Sequence, residues 1–399
     1  MEPIRQTQST PPEAAGLGVY VHFPWCSRKC PYCDFLSMAA ERPEIPHARY
    51  ASQVSAELAR RAAQTGRRKL ASVFFGGGTP SLWDPGELGR VLAAIRAHFP
   101  GDDPEVTVEC NPTSFDEERA RALMDAGVGR VSIGVQGLDE DRLRFLGRLH
   151  DVAGGLEAVR AAVRAGVPRV SADLIFGVAG QNSREAAGEA RRVAELGVTH
   201  LSAYALTIEP GTQFGALDRK GRLPLLGDDQ VAESFLHVDA TLEALGFEHY
   251  EISNFARGGD VARHNVGYWQ GRDYLGLGAG AWGTLSLPDG RVRYRNTPSP
   301  ERYLETDWAT IDPDSAASEL ESLSPETSLA ERILLGLRMA GGLDLGEAAA
   351  STGATAWTAE RERAAERLLA RGRLRRDGDR LWIPRDAWLF ADGTISELL

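Results

Sequence analysis

The sequence predicts an α/β fold: a partial barrel of six strand–helix units, (β/α)6, followed by a small, winged-helix-like C-terminal domain. Two observations support this prediction. Short apolar runs alternate with segments of helical periodicity between residues 19 and 206. Glycine-rich or polar motifs follow the ends of several of these runs. In parallel barrels the loops at the carboxyl ends of the strands carry the chemistry, so these motifs are candidate site residues.

Six apolar segments have the length and composition of buried parallel strands. They are Val19–Phe23, Ser72–Phe75, Glu105–Cys110, Arg130–Val135, Val170–Phe176 and His200–Leu206. The intervening periodicity predicts helices over Ala48–Arg61, Pro85–His98, Asp116–Ala126 and Ser183–Leu196, with one or two more inside Asp139–Ala165. Strands joined by such crossovers pair in parallel, and right-handed crossovers curve the sheet toward a barrel. A doubly wound open sheet is the structural alternative.

The second half of the chain is less regular, and it predicts three further segments. After a disordered tail over residues 1–16 and the barrel core over 17–215, a barrel extension over 216–305 contains a His-Asn-x-x-Tyr-Trp motif and a glycine-rich stretch. Acidic residues over 306–323 predict a linker. Ser324-Pro325 suits a helix start, since serine caps helices and proline fits their first turn. Three helices and a hairpin then make up the C-terminal domain over 324–399.

Composition narrows the class of partner and the location. The chain has 45 basic and 56 acidic residues and a formal charge of −11, so we expect no nucleic-acid partner. No apolar run approaches the ~18 residues of a membrane span, and the N-terminus lacks the apolar segment of a signal peptide. We therefore expect a cytoplasmic protein without an integral membrane span. Peripheral contact with a membrane enzyme stays open.

Three of the four cysteines form one short motif. Cys26, Cys30 and Cys33 have C-x3-C-x2-C spacing directly after the first predicted strand. Cysteine thiolates on one loop hold iron–sulfur clusters, and three thiolates leave one iron of a four-iron cluster open to a ligand. Zinc or no metal are the alternatives, although structural zinc usually takes four ligands. Cys110 lies in an apolar segment, where a small buried hydrophobe is the simplest interpretation.

Other polar motifs fall at or near the ends of later strands. Gly76-Gly77-Gly78-Thr79-Pro80 follows the second strand, and we expect its glycines to let the backbone approach a ligand and offer N–H and C=O groups to it, with a tight turn as the alternative. Four polar side chains, each an ordinary loop residue if taken alone, follow the same pattern: Glu109, Gln136, Arg148 and Asp173. Together they form a polar clamp suited to a zwitterionic, ribose-bearing ligand, because carboxylates bind amines or ribose hydroxyls and arginine binds carboxylates.

These motifs together resemble the radical S-adenosylmethionine superfamily. Within it they resemble the group that contains oxygen-independent coproporphyrinogen III dehydrogenase and the HemW-type haem chaperones. The blocks that carry the resemblance span the chain from residue 17 onward. They are Tyr20–Cys26 with Cys30 and Cys33, Gly76–Pro80, Glu109–Pro112, Ser132–Gln136, Asp173–Gly177 and His264–Trp269. The resemblance implies a barrel of the radical-SAM type.

The resemblance also implies that the cysteines bind one cofactor and the polar strand-end residues bind another. Cys26, Cys30 and Cys33 would ligate a [4Fe–4S] cluster, and S-adenosylmethionine would chelate the open iron. An electron donor would reduce the cluster. One electron from the reduced cluster would then cleave the sulfonium of S-adenosylmethionine. The S-adenosylmethionine pocket would be lined by Tyr20, Tyr32, Gly77, Gly78, Thr79, Glu109, Gln136, Arg148 and Asp173.

Two positions separate the branches of the group. The dehydrogenase has a further cysteine two residues after the third, where this chain has Phe35. The His264 motif is typical of the chaperone-like branch, and the resemblance makes His264 a candidate ligand of haem iron, with an ordinary hydrogen-bonded loop histidine as the alternative. We therefore predict a haem chaperone that passes haem to an unidentified acceptor protein. The dehydrogenase is the alternative, so whether the chain is an enzyme stays open; radical modification of RNA is a third, disfavoured hypothesis.

Overall fold

The computed structural model describes residues 16–399, so nearly all of the predicted tail lies outside the described residues. One mixed sheet of twelve strands forms the framework. Its strands are β1 Leu17–Phe23, β2 Leu70–Gly77, β3 Glu105–Cys110, β4 Arg130–Gln136, β5 Arg169–Phe176, β6 His200–Ala205, β7 Glu248–Glu251, β8 Asn254–Ala256, β9 Tyr274–Leu277, β10 Trp282–Leu287, β11 Gly290–Asn296 and β12 Ala317–Leu323.

The strand order confirms the predicted fold. It runs β12-β11-β10-β9-β1-β2-β3-β4-β5-β6-β8-β7, so the first six strands are neighbours in chain order. Each of these pairs is parallel. A doubly wound sheet would reverse its order part-way, so that alternative is wrong. β9 extends the parallel set beyond β1, and antiparallel strands flank both ends.

Helices follow the barrel strands and cover their outer face. Up to residue 305 they are α1 His47–Thr65, α2 Pro85–His98, α3 Glu117–Asp125, α4 Glu140–Phe145, α5 Val152–Ala165, α6 Ser183–Ala194, α7 Gln213–Asp218, α8 Asp228–Ala244, α9 Arg263–Trp269 and α10 Pro300–Glu305. The α2 prediction is confirmed residue for residue, because Asp84 caps its first turn through the N–H groups of Gly86 and Glu87.

The C-terminal domain has its own apolar core and one helix more than predicted. Its elements are α11 Pro325–Gly336, α12 Leu345–Thr352, α13 Ala359–Ala370, α14 Ala391–Leu398 and the small antiparallel sheet β13 Leu343–Asp344, β14 Arg375–Asp377 and β15 Arg380–Trp382. The residues predicted as a linker, 306–323, end in β12, which pairs along β11. Its charged side chains are exposed, which explains why the sequence resembled a linker. The division into domains otherwise stays a prediction.

Alternate residues of the barrel strands face opposite environments. On β1 the apolar side chains of Val19, Val21 and Phe23 are fully buried in the core against the helices. Tyr20 and His22 face the barrel interior, where their neighbours come from β2 and β3. Because side chains alternate along a strand, each barrel strand gives one face to the core and one to the interior. The candidate site residues lie on the interior face or in the loops above it.

Among residues 16–399, no helix has both the length and the apolar character required to cross a bilayer.

Candidate functional site

The cysteine loop is closed at its base by a short pair of parallel strands. Trp25–Cys26 pairs with Met38–Ala39, and Ala40 N–H donates to the Cys26 carbonyl at 3.0 Å. Cys26 is buried, whereas Cys30 and Cys33 are half-buried, and a turn links Cys33 N–H to the Cys30 carbonyl at 3.2 Å. All three thiols are free. Burial raises the pKa of the Cys33 thiol to about 11.

The arrangement of these thiols bears on the metal alternatives. Among the described residues, no three histidine, cysteine or acidic side chains converge as the ligands of a single metal ion would. A mononuclear zinc site requires that convergence around one ion. In a cubane cluster each thiolate binds a different iron, so three cysteines leave one corner of the cluster without a cysteine.

The glycine-rich loop packs against the end of β1. A Cβ atom on Gly77, whose φ is +113°, would lie 2.6 Å from the His22 ring, and one on Gly78 would lie 2.5 Å from the Trp25 carbonyl oxygen. The Gly78 N–H donates to the Phe23 carbonyl, and the N–H of the buried Thr79 donates to that of Trp25. We expected these N–H groups to face a ligand, but the structure shows them bonded within the protein.

Tyr20 and His22 connect this loop to the cysteine loop. The Tyr20 hydroxyl lies 2.9 Å from His22 Nδ1, and His22 Nε2 lies 2.8 Å from the Leu36 carbonyl oxygen. Since the carbonyl can only accept, Nε2 carries the proton and Nδ1 accepts from Tyr20. Burial lowers the pKa of His22 to about 4, which keeps the ring neutral. The histidine therefore fixes the orientation of the Tyr20 hydroxyl.

Two carboxyl groups share the barrel interior beside Tyr20. Glu109 Oε2 accepts a hydrogen bond from Gly77 N–H at 3.0 Å, and Ser132 donates to both oxygens of Asp173 at 3.0 and 3.1 Å. Burial, followed by the Asp173 charge, raises the pKa of Glu109 to about 8. Burial raises the pKa of Asp173 to about 6, against the lowering effect of hydrogen bonds from Ser202 and Ser132. The pair can hold a proton near neutral pH.

Gln136 and Arg148 meet above β4. Among the described residues other than glycine, only Gln136 has a positive φ, +66°, at a bulge between β4 and β5. Its amide folds back over Gly134, where a Cβ atom would lie 2.7 Å from Gln136 Nε2 and 3.4 Å from Arg148 Nη2. Arg148 Nη2 donates to the Gly134 carbonyl at 2.9 Å, and its Nη1 lies 3.6 Å from Cys30 Sγ. The Gln136 amide and the Arg148 guanidinium therefore lie together over Gly134, and Arg148 reaches from there to the cluster loop.

Tyr32 lies on the other side of this arginine. Burial raises the pKa of its hydroxyl, and the Arg148 charge lowers it. Its ring is tilted against Phe214 at a centroid distance of 6.4 Å, and the Phe214 N–H donates to the Pro31 carbonyl at 2.9 Å. The tip of the cluster loop is thus held by the segment after β6.

His264 is the one predicted residue that lies elsewhere. It is on α9, only 3 % exposed, and its Nδ1 lies 2.8 Å from Ser72 Oγ near the amino end of β2. Its ring stacks on Phe74, and its backbone N–H donates to Glu105. Burial lowers the pKa of the imidazole to about 3. The ring is buried in this structure, and its role as a haem ligand stays a prediction.

Sequence reasoning missed three members of the site. His22 holds Tyr20, and Ser132 and Ser202 hold Asp173. All three occupy interior positions of predicted strands, so a polar residue at alternating positions of an apolar strand was the available signal. Cys110 is buried, which confirms its interpretation as a small core residue.

The residues that the structure brings together fit a cluster with S-adenosylmethionine. Three free thiols lie on one loop, and Arg148 reaches one of them. The Arg148 Nε atom is buried and has no hydrogen-bond partner among the described residues, which leaves a donor for an anionic group. A Cβ atom on Gly76 would lie 2.9 Å from the Tyr20 ring and 3.2 Å from Glu109 Oε2, so the absent side chain leaves a cradle between them.

Family models match two parts of the chain. The radical SAM superfamily model matches residues 20–193, which include the cysteine loop, the end of β1 and the strands β2 to β5. The HemN C-terminal domain model matches residues 323–390. Among solved structures, coproporphyrinogen III oxidase (HemN) from Escherichia coli is similar, with a TM-score of 0.79 over 97 % of this chain and 90 % of that one. Its sequence identity is 20 %, so this similarity establishes the fold alone.

Sequence relatives extend over most or all of the chain. The chain is 35 % identical over 399 residues to heme chaperone HemW of Mycobacterium tuberculosis, covering 100 % of this chain and 98 % of the relative. It is 39 % identical over 298 residues to heme chaperone HemW of Escherichia coli, covering 73 % and 77 %. A mitochondrial radical S-adenosyl methionine domain-containing protein 1 from Danio rerio is 35 % identical, covering 84 % and 75 %. The chain therefore belongs to the HemW family of the radical SAM superfamily.

Proposed function

We propose that this protein is a haem chaperone that binds haem, holds a [4Fe–4S] cluster and S-adenosylmethionine, and transfers haem to an acceptor protein. The observation that carries the proposal is the identity of 35 % along the entire chain to a relative named heme chaperone HemW. The free thiols of Cys26, Cys30 and Cys33 support the cluster. Cytoplasmic location stays a prediction from composition.

The protein's own residues would divide the work of holding the cofactor. The three thiols would hold the cluster, and the unpartnered Nε of Arg148 would bind a carboxylate. Glu109 and Asp173 would orient hydroxyl or amine groups, since carboxylates accept from both. When bound, the cluster and S-adenosylmethionine supply one-electron chemistry, and the protein contributes orientation and electrostatics.

Coproporphyrinogen III dehydrogenase is the second candidate function. The match of residues 323–390 to the HemN C-terminal domain favours it. Phe35 argues against it, because the cluster loop of the dehydrogenase carries a further cysteine at this place. Phe35 is 59 % exposed at the surface of the loop. A cysteine thiol at this position would be accessible to solvent, so its absence makes the loop of this chain chemically different from that of the dehydrogenase.

Two measurements on anaerobically reconstituted full-length protein test the proposal. Haem added in increments should shift the Soret band and saturate at a defined stoichiometry. An unshifted spectrum would contradict haem binding and with it the chaperone function. In parallel, the protein is incubated with S-adenosylmethionine, a reductant and coproporphyrinogen III. Catalytic formation of protoporphyrinogen would replace the chaperone with the dehydrogenase, whereas its absence together with a saturating Soret shift supports the chaperone.

A further inference from the structure

The turn that ends α4 fixes the backbone at Arg148. Gly147 has φ +71° and donates its N–H to the Arg144 carbonyl at 3.0 Å. The next N–H, that of Arg148, donates to the Leu143 carbonyl at 2.9 Å. These two bonds around a left-handed glycine form a Schellman motif, which fixes the direction in which the chain leaves the helix.

The same turn packs against the cluster loop. A Cβ atom on Gly147 would lie 2.5 Å from Cδ of Pro31 and 3.8 Å from the Cα atom of Cys30. The Gly147 carbonyl oxygen lies 4.0 Å from Cys30 Sγ. Only a residue without a side chain allows this approach, so Gly147 brings the arginine that follows it directly beside the second cysteine.

The Arg148 guanidinium then spans from the barrel to the thiol. Nη2 is anchored on the Gly134 carbonyl at 2.9 Å, and Nη1 points to Cys30 Sγ at 3.6 Å, a normal distance for an N–H···S hydrogen bond. Arginine stays protonated at any relevant pH, so the contact places a permanent positive charge against one cluster ligand.

From this geometry we propose that Arg148 sets the reduction potential of the cluster, in addition to its predicted contact with S-adenosylmethionine. This proposal requires the [4Fe–4S] cluster that the proposed function includes, but it does not require that the protein binds haem. Reduction adds negative charge to the cluster and its thiolates. A hydrogen bond and a positive charge at Cys30 stabilise that reduced form more than the oxidised form and raise the potential. Arg148 is a positioning and tuning residue here, since it acts through the thiolate.

The test is potentiometric titration of the reconstituted protein without S-adenosylmethionine, followed by electron paramagnetic resonance. Two neutral replacements, Arg148→Met and Arg148→Gln, remove the charge. We expect each to make the one-electron reduction roughly tenfold less favourable, a downward shift of about 59 mV. Arg144→Met is the matched control, because Arg144 is on the same turn but its exposed guanidinium pairs with Asp141. Its midpoint should equal that of the unchanged protein.

Each outcome decides the proposal. A variant with full iron and sulfide content and an unchanged midpoint would overturn it. Loss of the cluster in both Arg148 variants would also overturn it, in favour of a purely structural role. Unchanged protein that holds no cluster at all would remove the cluster site itself, whereas failure to bind haem would leave the midpoint shift intact and affect only the proposed chaperone function.

Discussion

Glu109 Oε2 accepts a hydrogen bond from the backbone N–H of Gly77 at 3.0 Å, which joins the end of β2 to that of β3. The two residues are 32 positions apart in the chain, and both face the barrel interior. This bond holds a carboxyl group in a site where burial and Asp173 favour its protonated form. The pH dependence of stability should therefore report on this contact.

Replacing Glu109 with glutamine should flatten the pH dependence of unfolding. A carboxyl whose pKa rises to about 8 on folding stabilises the protein fully below its unfolded value near 4.5, and this contribution is lost as the pH rises to 8. The unchanged apoprotein should therefore lose on the order of 3 kcal/mol from pH 5 to pH 8 relative to Glu109→Gln. Urea denaturation at both pH values measures this difference, and parallel curves for the two proteins would contradict the assignment.

Replacing Gly77 with alanine should destabilise the protein through a collision with His22. Alanine at positive φ costs about 1 kcal/mol, and the new Cβ atom would also lie 2.6 Å from the imidazole ring. Gly180→Ala is the matched control, since φ is +80° there and no atom lies within 4 Å of the Cβ position. We expect Gly77→Ala to lose about 1–3 kcal/mol more than the control in urea denaturation. Equal losses would show that the loop accommodates the methyl group freely.

Replacing Gln136 with glycine should weaken the binding of S-adenosylmethionine and leave the stability of the apoprotein nearly unchanged. Glycine adopts the positive φ of +66° without strain, so the free energy of unfolding of the apoprotein should stay within about 1 kcal/mol. The amide beside Arg148 is lost, and the affinity for S-adenosylmethionine should fall about tenfold, the effect of about 1.4 kcal/mol. Equilibrium dialysis on reconstituted protein measures the affinity. An unchanged affinity would remove Gln136 from the pocket.

Removing the charge of Arg61 should destabilise the junction between α1 and the glycine-rich segment after β9. Arg61 bonds Glu57 at 2.7 Å, both side chains are at most 1 % exposed, and Glu57 also accepts from Gly278 N–H at 2.9 Å. Breaking one partner of a buried pair costs about 3–5 kcal/mol. Arg61→Met should show this loss in urea denaturation, whereas the exposed Arg144→Met should lose under about 1 kcal/mol. Similar midpoints for the two variants would contradict the role of the buried pair.

Local patterns in the sequence were sufficient to predict most of the strands and helices of the barrel. Helix α2 and strand β3 match their predicted bounds because an aspartate cap and a run of alternating apolar residues act within a few positions. The strand-end rule placed Glu109, Gln136, Arg148 and Asp173 in or above one barrel interior, and the family resemblance added Tyr20. The edge strand β12 was missed because its exposed, charged residues lack the apolar signal of a buried strand.

What the sequence determined by itself was the order of strands and helices, the cysteine loop and the set of polar residues at the strand ends. Only the tertiary structure decided that the N–H groups of Gly77, Gly78 and Thr79 turn inward and that His264 is buried near the amino end of β2. The reason is physical. Periodicity, caps and spacing act over a few residues, whereas hydrogen-bond partners and burial depend on segments that only packing brings together, such as Ser72 and His264, 192 residues apart.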